Sequence, residues 1–114
     1  MNNKGAMAEK WAAHFLQKQG LKLIEQNYRG RFGEIDLIMQ DGDTLVFIEV
    51  RLRRNTDFGG AAASIDIHKQ NRIISTSQQY LSSLAHTPAC RFDAVLLGDA
   101  QGKNAQWLKN AFDA

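Results

Sequence analysis

Residues 33–51 place acidic groups inside what otherwise reads as buried strand. Gly33-Glu34-Ile35-Asp36-Leu37-Ile38-Met39 and Leu45-Val46-Phe47-Ile48-Glu49-Val50-Arg51 flank a turn signal at Asp41-Gly42-Asp43-Thr44, the arrangement of a β-hairpin. Strands ordinarily exclude Asp and, more weakly, Glu. A fold that accepts this hairpin must therefore give its acids partners or a use.

Alternation separates the two faces, because successive strand side chains point to opposite sides. Glu34, Asp36 and Ile38 share one face and Ile35, Leu37 and Met39 the other; Leu45, Phe47, Glu49 and Arg51 share one face and Val46, Ile48 and Val50 the other. One purely apolar face and one mixed face imply a central sheet covered on both sides by helices. Register decides whether the acids meet. A four-residue loop, Asp41 to Thr44, pairs Gln40 with Leu45 and sets Asp36 opposite Glu49 and Glu34 opposite Arg51. A two-residue Asp41-Gly42 loop sets Glu34 opposite Glu49. An unbulged three-residue loop puts Asp36 and Glu49 on opposite faces.

In the first register the two Cβ atoms are about 5 Å apart, and like charges directly opposite are destabilising without compensation. Two compensators are open at this point. One is a divalent cation such as Mg²⁺, which takes one or two carboxylates together with water and phosphate oxygens. The other is an ion-pair ladder in which Arg51 serves Glu34 and Glu49.

The rest of the chain supplies the covering elements. Ala8, Trp11, Ala12, Phe15 and Leu16 form the stripe of an amphipathic helix, with Gly20 its stop. Glu9 borders that stripe, where an acid in the first turn also suits the helix dipole. Leu23 to Tyr28 reads as an edge strand, and Arg29-Gly30-Arg31-Phe32-Gly33 as a tight connection. Arg51, Arg53 and Arg54 make the densest cationic cluster, followed by a glycine-rich loop to Ala63. A second helix is expected from Ser64 or Asp66 to about Leu84, burying Ile73, Ser77, Tyr80, Leu81 and Leu84 and carrying Lys69 and Arg72 near its start. Arg91 to Leu97 is a further buried strand, and Ala105 to Lys109 returns beside it. The expected fold is α/β in the order αβββαββ, one domain spanning residues 1–114.

Several chemistries are set aside. Cys90 is alone and His14, His68 and His86 are scattered, so no zinc set exists and no internal disulfide forms. Gly59-Gly60 lacks the ending of a phosphate loop, and no nucleophile elbow is present. No apolar run is long enough for a bilayer, and the N-terminal residues do not resemble a signal peptide. A cytoplasmic protein with no membrane partner is expected. A net charge of +2 and a pI near 8.9 permit a polyanionic partner without requiring one.

Asp36 followed thirteen residues on by Glu49-Val50-Arg51 resembles the PD-(D/E)xK nuclease motif, an acid on one strand and acid-x-lysine on the next. The ordered set Gly33 to Ile38, Leu45 to Arg53, Phe58-Gly59, Lys69, Tyr80-Leu81, Arg91-Phe92-Asp93 and Asn110-Ala111-Phe112 resembles the YraN family. That family is related by its expected fold to restriction endonucleases and Holliday-junction resolvases. The resemblance implies a restriction-endonuclease-like fold, a central mixed sheet flanked by helices, and metal-dependent phosphodiester hydrolysis with Mg²⁺ or Mn²⁺. Asp36 and Glu49 become metal ligands with the Val50 carbonyl as a third, Glu9 lies near the metal, and Glu34 stands beside the site. Arg51 occupies the position of the motif lysine; a guanidinium keeps its proton, so it serves by charge and not as a base. Arg29, Arg31, Arg53, Arg54, Lys69 and Arg72 are the expected phosphate contacts, positioning DNA, branched DNA included, without reading its sequence. A homodimer is compatible with the same resemblance. Two other readings accompany the nuclease: a non-catalytic nucleic-acid-binding module on the same fold, motivated by Arg51, and a protein-interaction domain whose acids form only the ladder.

Overall fold

A computed structural model describes residues 3–52 and 65–114. The elements run α1 (Asn3–Lys18), β1 (Lys22–Arg29), β2 (Glu34–Asp41), β3 (Thr44–Leu52), α2 (Ile67–Leu81), β4 (Ala89–Leu97) and β5 (Gln106–Phe112). This is the expected αβββαββ order. The strands form one mixed sheet in sequential order, antiparallel throughout except for the parallel β3–β4 pair. A parallel pair cannot be joined by a tight turn, and α2 lies in the connection between its strands.

Helix α1 buries Ala8, Ala12, Ala13 and Leu16 against Leu37, Met39, Val46, Ile48, Val95 and Leu97. It ends in a Schellman motif: Leu21 N–H donates to the Leu16 carbonyl at 3.1 Å and Gly20 N–H to that of Gln17 at 3.0 Å, with Gly20 at φ 102°. Leu16 and Leu21 are both buried, the apolar contact that accompanies this cap. Helix α2 covers the opposite face, with Ile73 packed among Ile35, Ile38, Phe47, Phe92 and Ala94. Its N-cap is Asp66, whose carboxylate accepts Lys69 N–H at 2.8 Å, as its residue type favours. It stops at Leu81, short of the expected Leu84. The hydroxyls of Ser82 and Ser83 take the carbonyls of Gln79 and Tyr80, each at 2.6 Å, in place of another helical turn.

The hairpin turn is tighter than read from sequence. Asp41 pairs with Thr44, so the loop is Gly42-Asp43, with Gly42 at φ 61°, the positive angle that glycine adopts at low cost. Gln40 stays opposite Leu45 and Leu37 opposite Ile48, the register that aligns Asp36 with Glu49. One face assignment differs: Ile35 packs with the α2 cluster, whereas Leu37 and Met39 pack under α1. Strand β2 thus changes face around Asp36. The β1 residue between Gln26, paired with Leu37, and Tyr28, paired with Ile35, is Asn27 at φ 52°, a left-handed residue that interrupts regular pleating.

A second acid is wholly enclosed. Asp93, with no exposure, accepts from Arg91 Nε at 2.9 Å, Arg91 Nη2 at 3.0 Å, Trp107 Nε1 at 3.0 Å and the Asn110 N–H at 3.1 Å. It sits where β4–β5 pairing slips between Phe92 and Ala94, so its oxygens satisfy groups that a regular ladder would have paired. Arg91 also reaches Asp41 at 3.1 Å, tying the hairpin turn to β4.

Candidate active site

Strand β3 is the middle strand, covered by helices on both faces, and it carries Glu49 to the end of the hairpin where β2 and β3 part. Ladder pairing ends at Leu37 and Ile48. Beyond it the Val50 N–H donates to Asp36 Oδ2 at 2.8 Å, so a side chain takes a donor that strand pairing would otherwise have used. Asp36 and Glu49 are 9% and 6% exposed, and their carboxyl groups are in hydrogen-bond contact.

Two buried carboxyls this close cannot both ionise cheaply. Burial first, then the charge of Asp36, pushes Glu49 up to about 8, with Lys69 opposing. Asp36 is raised by burial as well, while the Val50 N–H, the contact with Glu49 and the charge of Lys69 hold it down. From α1, Glu9 comes within reach of Asp36. Its carboxyl is pushed up to about 7 by burial and by Asp36, against a hydrogen bond from Asn27.

The expected ion-pair ladder forms only in its Arg51–Glu49 part. Glu34 pairs with Arg29 at 3.4 Å and not with Arg51, while Glu49 receives Lys69 Nζ at 3.4 Å and Arg51 Nη1 at 3.7 Å. Glu34 stays close enough to raise both Asp36 and Glu9 by its charge. Glu9, Asp36, Glu49, Val50, Arg51 and Lys69 line a single cavity of about 310 Å³.

The expected phosphate contacts divide. Lys69 faces into the acid cavity, Arg29 is engaged by Glu34, and Arg31 and Arg72 stand exposed by the β1–β2 turn, where Arg72 packs 3.7 Å from the Cβ position of Gly33. That turn is docked on α2 by a 2.8 Å bond from Arg31 N–H to Gln79 Oε1. Arg53, Arg54, Phe58, Gly59 and Ser64 lie outside the described residues. Sequence reading gave Lys69 as a phosphate contact and gave Asn27 no part; contacts with residues distant in the chain bring Lys69 to Glu49 and Asn27 to Glu9. An asparagine in a strand pattern was the only hint of Asn27.

The donor set is all hard oxygen, which suits Mg²⁺ or Mn²⁺ and not a soft metal. Among the described residues no group of three or more His, Cys, Asp or Glu side chains is gathered so as to hold an ion. An ion placed at Asp36 and Glu49 would therefore need backbone, water or phosphate oxygens as its remaining ligands.

The profile of a protein family described as uncharacterised, UPF0102, matches residues 8–97, from the first buried alanine of α1 to the end of β4. The chain belongs to the UPF0102 family. It is 58% identical to a UPF0102 protein of Psychromonas ingrahamii over 97% of its own length and 90% of the relative. A UPF0102 protein of Nitrosomonas europaea is 55% identical, covering 97% and 94% of the two chains, and one of Nitrosospira multiformis 53%, covering 96% and 92%. These relatives match the UPF0102 chain across both helices and all five strands, so the acid cavity lies inside the shared region. Among its described residues no helix is long and apolar enough to cross a membrane.

Proposed function

We propose that this UPF0102 protein is a metal-dependent, structure-preferring DNA endonuclease of the PD-(D/E)xK type. What supports the reading above all is the meeting of Asp36 and Glu49, two nearly buried carboxyls placed where the hairpin ladder breaks, in a cavity that also holds Lys69 and Arg51. Burial, joined at Glu49 by the charge of Asp36, raises the proton affinity of both carboxyls even with Lys69 and Arg51 beside Glu49, and hard oxygen donors fit Mg²⁺ or Mn²⁺. Asp36, Glu49 and the Val50 carbonyl would hold the ion, with Glu9 beside them. When bound, such an ion polarises the phosphate and lowers the pKa of an attacking water.

The chain's own groups have separable roles. The Val50 N–H fixes the Asp36 carboxylate. Lys69 and Arg51 both reach Glu49 Oε2 and present positive charge to the phosphate, where negative charge grows in the pentacovalent transition state. Arg51 keeps its proton, so it contributes charge alone. Arg31 and Arg72 contact the backbone of the nucleic acid and give position without sequence preference.

The test is incubation of branched, single-stranded and duplex DNA with Mg²⁺ or Mn²⁺. Cleavage is expected to fall on the order of 10²-fold or more in Asp36→Ala and Glu49→Ala, the scale of losing one electrostatic element of a site. Nicking that survives both substitutions removes the proposed site. A second reading, a nucleic-acid-binding module without cleavage, is favoured by Arg51 in the lysine position; it gains if Arg51→Lys creates activity absent from the parent.

A further inference from the structure

Five large apolar side chains stand exposed among the described residues, and Phe32, at 54%, is the only aromatic one of them. It belongs to the β1–β2 turn, residues 30–33. A single exposed apolar residue is ordinary on a protein surface. Phe32 differs in how firmly it is held and in what stands beside it.

The turn is fixed at both ends. Gly30 N–H donates to the Gly33 carbonyl at 2.8 Å, which closes the loop, and Arg31 N–H donates to Gln79 Oε1 of α2 at 2.8 Å. A Cβ at Gly30 would fall on Gln79 and Thr76, and one at Gly33 would touch Thr76 and Arg72. The glycines that flank Arg31 and Phe32 therefore rest directly on the helix. The Arg31 guanidinium lies 6.0 Å from the centre of the Phe32 ring. With that contact made, more than half of Phe32 remains open, and among the described residues no other ring stacks on it.

Arg31 and Arg72 are both exposed, and neither is ion-paired among the described residues. Unpaired guanidinium groups suit phosphate, and an open aromatic ring suits the face of a base. Together they match a nucleotide better than an apolar protein surface, which would have no use for the charges. The turn also adjoins the acid cavity. Lys69, Arg72, Thr76 and Gln79 fall on one stripe of α2; Lys69 lines the cavity, and the other three meet the turn. Glu34, two residues after Phe32, is close enough for its charge to raise Asp36 and Glu9. The chain from Phe32 to Asp36 spans no more than about 14 Å, equal to about four base steps of a duplex strand.

An open ring can stack only on a base whose face is open. Within an intact duplex each base is covered by its neighbours, and a wedge must first part them. At a branch point the terminal base pair of an arm already presents a face.

We propose that Phe32 is a base-stacking contact that seats the protein at a branch point in DNA, with Arg31 and Arg72 on the flanking phosphates. The inference rests on the nucleic-acid reading above and adds to it the feature recognised and the residue that recognises it. It does not require cleavage.

The experiment is fluorescence anisotropy of a labelled three-way DNA junction across a salt series, in chelator and again with Mg²⁺. Duplex affinity is read by competition with long linear DNA, whose ends are a negligible share of its length. Parent protein, Phe32→Ala, Phe32→Trp and the R31A/R72A double variant are compared, with thermal unfolding as the check on folding. Phe32→Ala is expected to lose about tenfold in junction affinity, within the range for one base–aromatic stack, and less than about twofold on duplex. Its salt slope should match the parent's, because the ring carries no charge. Phe32→Trp should keep the junction affinity. The arginine double variant should weaken on both DNAs, its duplex slope flattening by about 1.8, the sum for two phosphate contacts. Junction affinity equal in the parent and Phe32→Ala, or a loss equal on junction and duplex, overturns the stacking contact while leaving the nuclease reading standing. No binding of either DNA by the parent at low salt, in chelator or with Mg²⁺, overturns both. Photo-crosslinking of the parent to a junction carrying 5-iodouracil at the branch gives a result independent of the variants' folding. An adduct at Phe32 supports the contact, and adducts confined to residues outside the β1–β2 turn overturn it.

Discussion

Replacing Glu49 by glutamine should weaken the fall of stability with rising pH. Glu49 is pushed up to about 8 from an ordinary value near 4.5, so between those values the unfolded chain gives up this proton and the folded chain keeps it. Stability therefore falls as pH rises through this window, because the native state binds more protons than the unfolded one. A tenfold displacement corresponds to about 1.4 kcal/mol, which sets a ceiling of about 5 kcal/mol for Glu49 by itself. Its coupling to Asp36 and contact with Lys69 spread the effect over several groups, and a net loss of about 2–4 kcal/mol between pH 5 and pH 9 is expected. The glutamine amide still donates to Asp36 and never ionises, so E49Q should lose much less over the same interval. Urea unfolding of both proteins at intervals of one pH unit measures the difference. Bound Mg²⁺ should restore part of the parent's loss at pH 8: a site with a dissociation constant of about 1 mM gains about 1.4 kcal/mol in 10 mM ion, and E49Q gains less. Parent stability that rises from pH 5 to pH 8, or curves that stay parallel in the two proteins, would refute the reasoning.

Two further expectations concern the frame that holds the site. Asp93→Ala leaves Arg91, Trp107 Nε1 and the Asn110 N–H without their shared acceptor, and should cost about 3–5 kcal/mol in urea unfolding, the range for breaking a buried ion pair. Gly102→Ala combines a φ of 91° with overlap on the Trp11 ring, whereas Gly42→Ala faces open space at φ 61°. The first should cost at least about 2 kcal/mol and the second about 1 kcal/mol, a gap that thermal unfolding resolves.

Much of the architecture follows from local pattern. The α1 stripe, the Gly20 stop, the Asp66 cap and the alternation of β3 each depend on residues within a few positions, and helical or strand periodicity expresses them directly. The alignment of Asp36 with Glu49 was likewise reachable, since turn length sets hairpin register. Ile35 was misread because alternation assumes an unbroken pleat, and the left-handed Asn27 lies on another strand. The end of α2 was overrun because Ser82 and Ser83 are weak local signals whose hydroxyls close the helix.

By itself, then, the sequence determined the element order, the two-sided burial of the central sheet and the presence of two acids on adjacent strands. Tertiary structure decided what surrounds those acids. It brought Lys69 to Glu49, left Glu34 with Arg29 and not Arg51, set Glu9 of α1 beside Asp36, and enclosed Asp93 in a network with no role in the cavity. Periodicity acts over neighbouring residues, whereas the Lys69–Glu49 pair, the approach of Glu9 to Asp36 and the burial that sets their proton affinities join groups far apart in the chain.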